Sequence, residues 1–248
     1  MTRPTLLLLP GLMCDRAAWA PQVEAFGSCF ECIVPHYGTL DSLPAMAAQV
    51  LREAPPGPLA VAGHSMGGRI AFEMWAQAPQ RIARLALLDT SYHPLAPGAE
   101  GERERSGRYA LRDIARRHGL RTMAREWAQG MVHPSRLGTP VFEAVLDMFE
   151  RGSLQAFAAQ IEALLARRDA TALLATIDVP TLLLCGREDA WSPPARHETM
   201  HRHIAGSRLA VIEHCGHMST MEQPAAVNAA LADWLGGPLD DRAVPDGI

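Results

Sequence analysis

Between residues 59 and 74 the chain reads Leu-Ala-Val-Ala-Gly-His-Ser-Met-Gly-Gly-Arg-Ile-Ala-Phe-Glu-Met, and no other stretch limits the possible folds so much. An apolar run stops at Gly63, Ser65 follows two residues later, and Ile70, Ala71, Met74 and Trp75 then recur on one side of a helix-like pattern. The reading is strand, sharp turn, helix, with Ser65 at the apex. Glycines flank the serine as G-x-S-x-G because so strained a turn brings backbones too close for a β-carbon on either side. The turn holds the hydroxyl clear of a sheet and aims the N-terminus of the next helix at it, where free amides and the helix dipole favour developing negative charge. Ser65 is therefore a candidate nucleophile. An ordinary glycine-rich connection is the alternative, and it survives only if no base and acid lie downstream.

The surrounding segments alternate strand and helix. Thr5 to Leu9 is continuously apolar, as expected of a strand covered on both faces. Pro4 and Pro10 bracket a run too short to span a membrane, and no small-residue cleavage site follows, so a buried strand is preferred to a signal peptide. Trp19 to Phe26 reads as a helix and Cys32 to Pro35 as a second strand. Ser42 to Arg52 reads as a helix capped by Asp41 or Ser42, with Leu43, Met46, Ala47, Val50 and Leu51 as its apolar face. Strands are expected again at Leu59, at Arg84 to Asp89, at Thr181 to Gly186 and at Leu209 to Glu213, with a closing helix from Gln223 to Leu235. Such alternation marks an α/β chain with a mostly parallel sheet flanked by helices.

The rhythm breaks between the fourth and fifth predicted strands. From 91 to 177 there are only helical patterns: an arginine-rich stretch, then Met123, Trp127 and Met131, then Phe142, Leu146 and Phe149, then Leu154, Phe157, Ile161 and Leu164. The expected organisation is a core of residues 1–90 and 178–235, an α-helical cap at 91–177 and a loose Gly-, Pro- and Asp-rich tail at 236–248. An apolar underside on that cap would give an organic substrate its pocket, with Trp127, Met131 and Trp191 as candidate substrate-binding residues, although packing of cap on body explains any one of these positions as well.

Composition removes whole classes of chemistry. A net charge of −4 argues against a nucleic-acid partner. All 23 basic residues are arginine, so Schiff-base chemistry, pyridoxal phosphate attachment, a serine-lysine dyad and a Walker-type phosphate loop lack their amine. The five cysteines (Cys14, Cys29, Cys32, Cys185, Cys215) show no disulfide-rich spacing and suit a reducing cytoplasm. Cys29 and Cys32 form a lone C-x-x-C with no second pair to complete a zinc site, and read as buried thiols.

The downstream base and acid are present. Gly186-Arg187-Glu188-Asp189 follows the fifth predicted strand and His214-Cys215-Gly216-His217 follows the sixth, at the edge where open parallel sheets gather ligands. Serine at neutral pH needs a base, and that base needs a carboxylate to fix its tautomer and stabilise the cation it becomes. The expected triad is Ser65, His217 and Asp189, with the backbone amides of Met66 and Leu12 as oxyanion donors, each worth ~3 kcal/mol. Asp89 and Glu188 are rival acids and His214 a rival base. His64 is expected to pack or hydrogen-bond locally rather than take protons, and His93, His118 and His133 to lie on the cap.

Three motifs in order, GHSMGG around Ser65, GREDAWSPP around Asp189 and EHCGHMSTMEQP around His217, resemble the α/β-hydrolase superfamily over almost the whole chain. The chain starts on what resembles the family's third strand, without the leading hairpin, and carries Pro10-Gly11 where many relatives have His-Gly. The resemblance implies hydrolysis of a small carboxylic ester or lactone through an acyl-enzyme, without cofactor or metal. Relatives also cleave carbon-carbon bonds or eliminate across C–O bonds with the same triad. The arginines at the start of the cap (Arg103, Arg105, Arg108, Arg112, Arg116, Arg117) are expected to form a solvated face, given Glu102, Glu104 and Asp113 among them. Two further readings stand beside this one. His197-Glu198-Thr199-Met200-His201 matches the zinc motif H-E-x-x-H but lacks a third ligand, and a non-catalytic ligand sensor would keep the fold alone.

Overall fold

The computed structural model describes residues 3–236, so the predicted tail beyond Gly236 lies outside the described residues. Six parallel strands, β1 (Thr5–Leu9), β2 (Glu31–Ile33), β3 (Leu59–His64), β4 (Ile82–Leu88), β5 (Thr181–Gly186) and β6 (Arg208–Ile212), lie in the order β2-β1-β3-β4-β5-β6. β1 lies beside the edge strand β2, and the chain then crosses the sheet strand by strand to β6; because every neighbouring pair is parallel, the C-terminal ends of β3, β4, β5 and β6 open onto one edge. Leu6 to Leu9 and residues 59–62 are at most 1% exposed, because helices cover both faces of the sheet and leave no polar face to alternate with.

The first predicted helix is split. A 3-10 turn, Arg16–Trp19, is capped by Asp15, whose carboxylate accepts from the Ala17 amide at 2.7 Å, and α1 (Ala20–Phe26) then starts with Pro21 in its first turn. α2 (Leu43–Glu53) has Ser42 as its N-cap, yet no side chain caps it, and Pro44 in its first turn removes one of the donors a cap would serve. β2 is shorter than expected and ends before Val34-Pro35, since it pairs only with Thr5 to Leu7 at the sheet's edge. Cys29 is therefore exposed and Cys32 half-buried, contrary to the expectation of two buried thiols. β4 starts two residues early because a register shift between Leu59 and Ala60 absorbs Ala83, which interrupts the sequence pattern there. Asp89 falls just beyond the strand's end.

α3 (Met66–Gln77) follows β3 and runs against the sheet, with Ile70, Ala71, Met74 and Trp75 all buried. Between β4 and β5 come α4 (Gly98–His118), α5 (Leu120–Trp127), α6 (Pro140–Glu150), α7 (Leu154–Leu165) and the single turn α8 (Thr171–Leu174), with no strand among the described residues. Met131 lies just past α5, and Phe142, Leu146, Phe157 and Ile161 are buried. This inserted layer is tied to the loops at the strand ends. Arg151 pairs with Asp15 at 2.9 Å, the Met13 amide donates to Gln160 at 2.8 Å, and the His217 amide donates to the Met131 carbonyl at 2.6 Å. α9 (Pro194–His203), α10 (Ser219–Glu222) and α11 (Pro224–Leu235) complete the chain. No helix among the described residues is long and apolar enough to cross a membrane.

Candidate active site

Ser65 stands at the turn between β3 and α3 with φ 55° and ψ −115°, a left-handed conformation that a non-glycine residue adopts only under constraint from its surroundings. Its amide donates to the Leu88 carbonyl at 2.9 Å, and the Thr90 hydroxyl donates to its carbonyl at 2.7 Å. The glycines are required by close approach. A β-carbon on Gly63 would strike the Gly67 carbonyl, and one on Gly67 would strike the Leu9 carbonyl. Both obstacles are backbone, so Gly67→Ala should force the turn apart and lower stability by about 3 kcal/mol. Chemical denaturation would show this as a fall in midpoint at constant slope, and an unchanged midpoint would contradict the packing described.

The structure brings the three triad candidates together. His217 Nε2 lies 2.8 Å from Ser65 Oγ, and His217 Nδ1 lies 2.8 Å from Asp189 Oδ2. The other Asp189 oxygen accepts from the amides of Trp191 and Ser192 at 2.9 Å each, which fixes the carboxylate's plane. Burial alone would raise the Asp189 carboxyl, but the His217 imidazole and these hydrogen bonds outweigh it and hold it below its usual range. Burial alone would lower His217, and the Asp189 carboxylate outweighs that too, leaving the imidazole above its ordinary 6.5. A general base must be neutral in the free enzyme. The acid limb of kcat/KM should therefore have its midpoint above 6.5, activity being lost as pH falls through the raised pKa. A pH–rate profile whose midpoint lay well below that value would contradict the pairing.

The rivals are engaged elsewhere. Asp89 is fully buried, accepts from the Gly186 amide at 3.0 Å and from the Ser219 hydroxyl, and is pushed well up by burial and by the nearby Asp189 charge. Glu188 is exposed and accepts from the Cys215 amide at 2.9 Å. His214 is exposed, with φ 54°. His64 donates from Nε2 to the His217 carbonyl at 2.7 Å, and burial, followed by the His217 charge, lowers it to about 4, so it is neutral at ordinary pH. The H-E-x-x-H segment is helical, but the zinc reading fails on its surroundings. His197 is buried and accepts from the Thr90 amide at 3.3 Å, His201 pairs with Ser207 at 2.9 Å, and no His, Cys, Asp or Glu gathers with the two among the described residues.

Sequence reasoning missed Glu222. This buried carboxylate receives the amides of Gly216 and Met218, both at 3.1 Å, on one oxygen, and the amide of His133 at 2.7 Å on the other. It holds the backbone on both sides of His217 and ties it to the inserted layer. Its position five residues after His217, inside EHCGHMSTMEQP, was the available signal.

A cavity of about 380 Å³ opens over Ser65. Leu12, Met66, Trp127, Met131 and Trp191 all line it. Trp127 stacks between Phe149 at 5.3 Å and Trp191 at 5.4 Å, and Trp191 meets the His217 ring at 4.9 Å. The amides of Leu12 and Met66 donate to no protein acceptor among the described residues. The arginines of α4 divide in a way their charge pattern does not show. Arg116 and Arg117 are exposed as expected and Arg112 lies over the Tyr109 ring, but Arg103 and Arg108 reach the cavity, where Arg69, Arg167 and Arg196 join them.

A parallel sheet with a nucleophile-like serine at a strand-to-helix turn, and an acid and a histidine on the loops after two later strands, is the arrangement of an α/β hydrolase. The model of the α/β-hydrolase fold family matches residues 4–224, and the chain belongs to that family. Among curated relatives it is 31% identical to a pimeloyl-[acyl-carrier protein] methyl ester esterase of Neisseria meningitidis serogroup A, over 79% of this chain and 62% of that protein. It is also 31% identical to a 2-succinyl-6-hydroxy-2,4-cyclohexadiene-1-carboxylate synthase of Klebsiella pneumoniae, over 70% and 66%. Among solved structures, a thermophilic esterase from Thermogutta terrifontis, determined with malate bound, superposes with a TM-score of 0.86 at 30% identity, covering 95% of this chain and 90% of that one.

Proposed function

We propose that the protein is a serine hydrolase that cleaves a small carboxylic ester or lactone through an acyl-enzyme. The observation that carries this reading is the unbroken relay from Ser65 Oγ through His217 to Asp189, with both hydrogen bonds at 2.8 Å. In the first half-reaction Ser65 Oγ attacks the carbonyl carbon while its proton passes to His217 Nε2. The amides of Met66 and Leu12 receive the tetrahedral oxyanion, and His217 then returns the proton to the departing alkoxide. Water, activated by the same imidazole, attacks the acyl-enzyme in the second half, and the bond to Ser65 Oγ breaks. Asp189 holds the imidazole in the tautomer with hydrogen on Nδ1 and stabilises the cation between the two transfers.

The helices α4 to α8 act in this reading as a cap, excluding water and presenting Trp127, Met131 and Trp191 to the substrate. The partner is a small acyl compound rather than a nucleic acid or a membrane. Five unpaired thiols fit a reducing cytoplasm. The naming of one relative as a synthase keeps a second reading in view, namely elimination or carbon-carbon cleavage on the same triad. A fluorophosphonate probe should form one adduct, at Ser65, and product analysis across esters, lactones and diketones separates the two chemistries. An unlabelled wild-type protein would end both.

A further inference from the structure

The cavity over Ser65 contains two unlike patches. One is the aromatic stack of Phe149, Trp127 and Trp191. The other is cationic, made by Arg69, Arg108, Arg167 and Arg196 with the Glu104 carboxylate among them. Glu104 is already fully used. Its two oxygens take Arg167 Nη1 and Nη2 at 2.7 Å each, and Oε1 also takes Arg108 Nε at 2.9 Å. Although burial would raise it, those two guanidinium groups pull the Glu104 carboxyl down to about 2.

Among the described residues, Arg69 and Arg196 have only neutral acceptors. Arg69 Nη1 donates to the His93 carbonyl at 2.8 Å, an oxygen that Arg167 Nε also approaches at 3.3 Å, and Arg196 Nη1 donates to Ser91 Oγ at 3.1 Å. No carboxylate pairs with either among the described residues. Burial and then the neighbouring Arg167 charge pull Arg69 down to about 9, the mark of a cation held where its charge is poorly compensated. An uncompensated, partly desolvated cation in a cavity is costly unless something anionic arrives to meet it. Arg69 also stands one helical turn after the nucleophile on α3, so the reacting hydroxyl and the cation ride on one rigid element.

We propose that the cavity selects an ester or lactone bearing a free carboxylate, with the carboxylate seated against Arg69 and Arg196 and the scissile carbonyl at Ser65. The inference rests on the serine-hydrolase reading and names its substrate class. A carboxylate is chosen over other anions because the Arg167 fork already holds a planar two-oxygen group, Glu104, at 2.7 Å on both sides in the same patch. The aromatic stack then takes the apolar part of the same molecule.

Binding without turnover tests this. Calorimetry on the Ser65→Ala protein would compare the monomethyl esters of succinate, glutarate and adipate with their dimethyl esters. At least one hemiester should bind tenfold or more tightly than its diester, and Arg69→Met or Arg196→Met in the same background should bring the two affinities together. Should the Arg69 variant fail to melt cooperatively, the Arg196 variant decides the matter. No measurable hemiester binding, equal affinities for the two esters, or a preference untouched by both arginine changes would overturn the proposal. Stronger displacement by methyl phosphate than by the hemiester would overturn the choice of carboxylate. Fluorophosphonate labelling of the wild type reports separately on the hydrolase reading, so the two failures remain distinguishable.

Discussion

Ser65→Ala should lower kcat on an ester substrate by about a millionfold, the scale found when a triad serine is removed from a serine hydrolase. The oxygen lost is the atom 2.8 Å from His217 Nε2, and among the described residues no other hydroxyl is hydrogen-bonded to that nitrogen. Ser219 points to Asp89 and Ser192 offers its amide to Asp189. Alanine keeps the β-carbon that the turn already accommodates, so the fold should persist, with a melting temperature close to that of the parent. Activity that survived the substitution at more than a thousandth of the parent rate would mean that the nucleophile lies elsewhere. The same protein should lose its fluorophosphonate adduct.

Asp189→Asn is expected to cost about 10⁴ in kcat while leaving the loop in place. The asparagine oxygen can still accept the amides of Trp191 and Ser192, but its NH₂ would face His217 Nδ1. The ring would then turn its remaining hydrogen toward Ser65 and have no lone pair with which to take the proton. The pH profile should shift as well. Removing the carboxylate removes what raises the imidazole, so the residual activity should show its acid limb at lower pH than the parent. Asp89→Asn makes the comparison sharp. Burial and the Asp189 charge push the Asp89 carboxyl well up, and it touches Gly186 and Ser219 rather than His217, so a change to a neutral amide should alter kcat less than tenfold. A larger loss in the Asp89 variant than in the Asp189 variant would reverse the assignment of the acid.

Glu222 shows why the surroundings of His217 matter as much as its partner. A carboxylate that gathers the amides of Gly216, Met218 and His133 makes the histidine's position depend on the inserted helices. The Met131 carbonyl, accepting from the His217 amide at 2.6 Å, adds a second tie. The backbone around His217 is thus fastened to the inserted helices at two points.

How much of this was legible in advance follows from the range of the forces involved. The apolar runs at Leu6 to Leu9 and at residues 182–185 identified buried parallel strands, because a strand covered on both faces has no polar side to alternate with. The glycines at 63 and 67 disclosed the turn at Ser65, since its geometry excludes every other residue there. Chain order, motif spacing and strand alternation therefore sufficed for the sheet, for the strandless insertion and for the three residues that meet over it. Sequence pattern favoured Asp189 over Asp89, both of which follow strands, but only the structure shows which carboxylate lies within reach of an imidazole 28 residues from one and 128 from the other. Nor could it separate the arginines that solvate α4 from those that enter the cavity. Arg103 and Arg108 differ from Arg116 and Arg117 only in the direction the packed helix gives them, and Arg69, Arg167 and Arg196 join them from three distant segments. Local pattern is written in neighbouring residues, whereas the sign of a cavity's charge is a sum over side chains that only the tertiary fold brings within a few ångströms of each other.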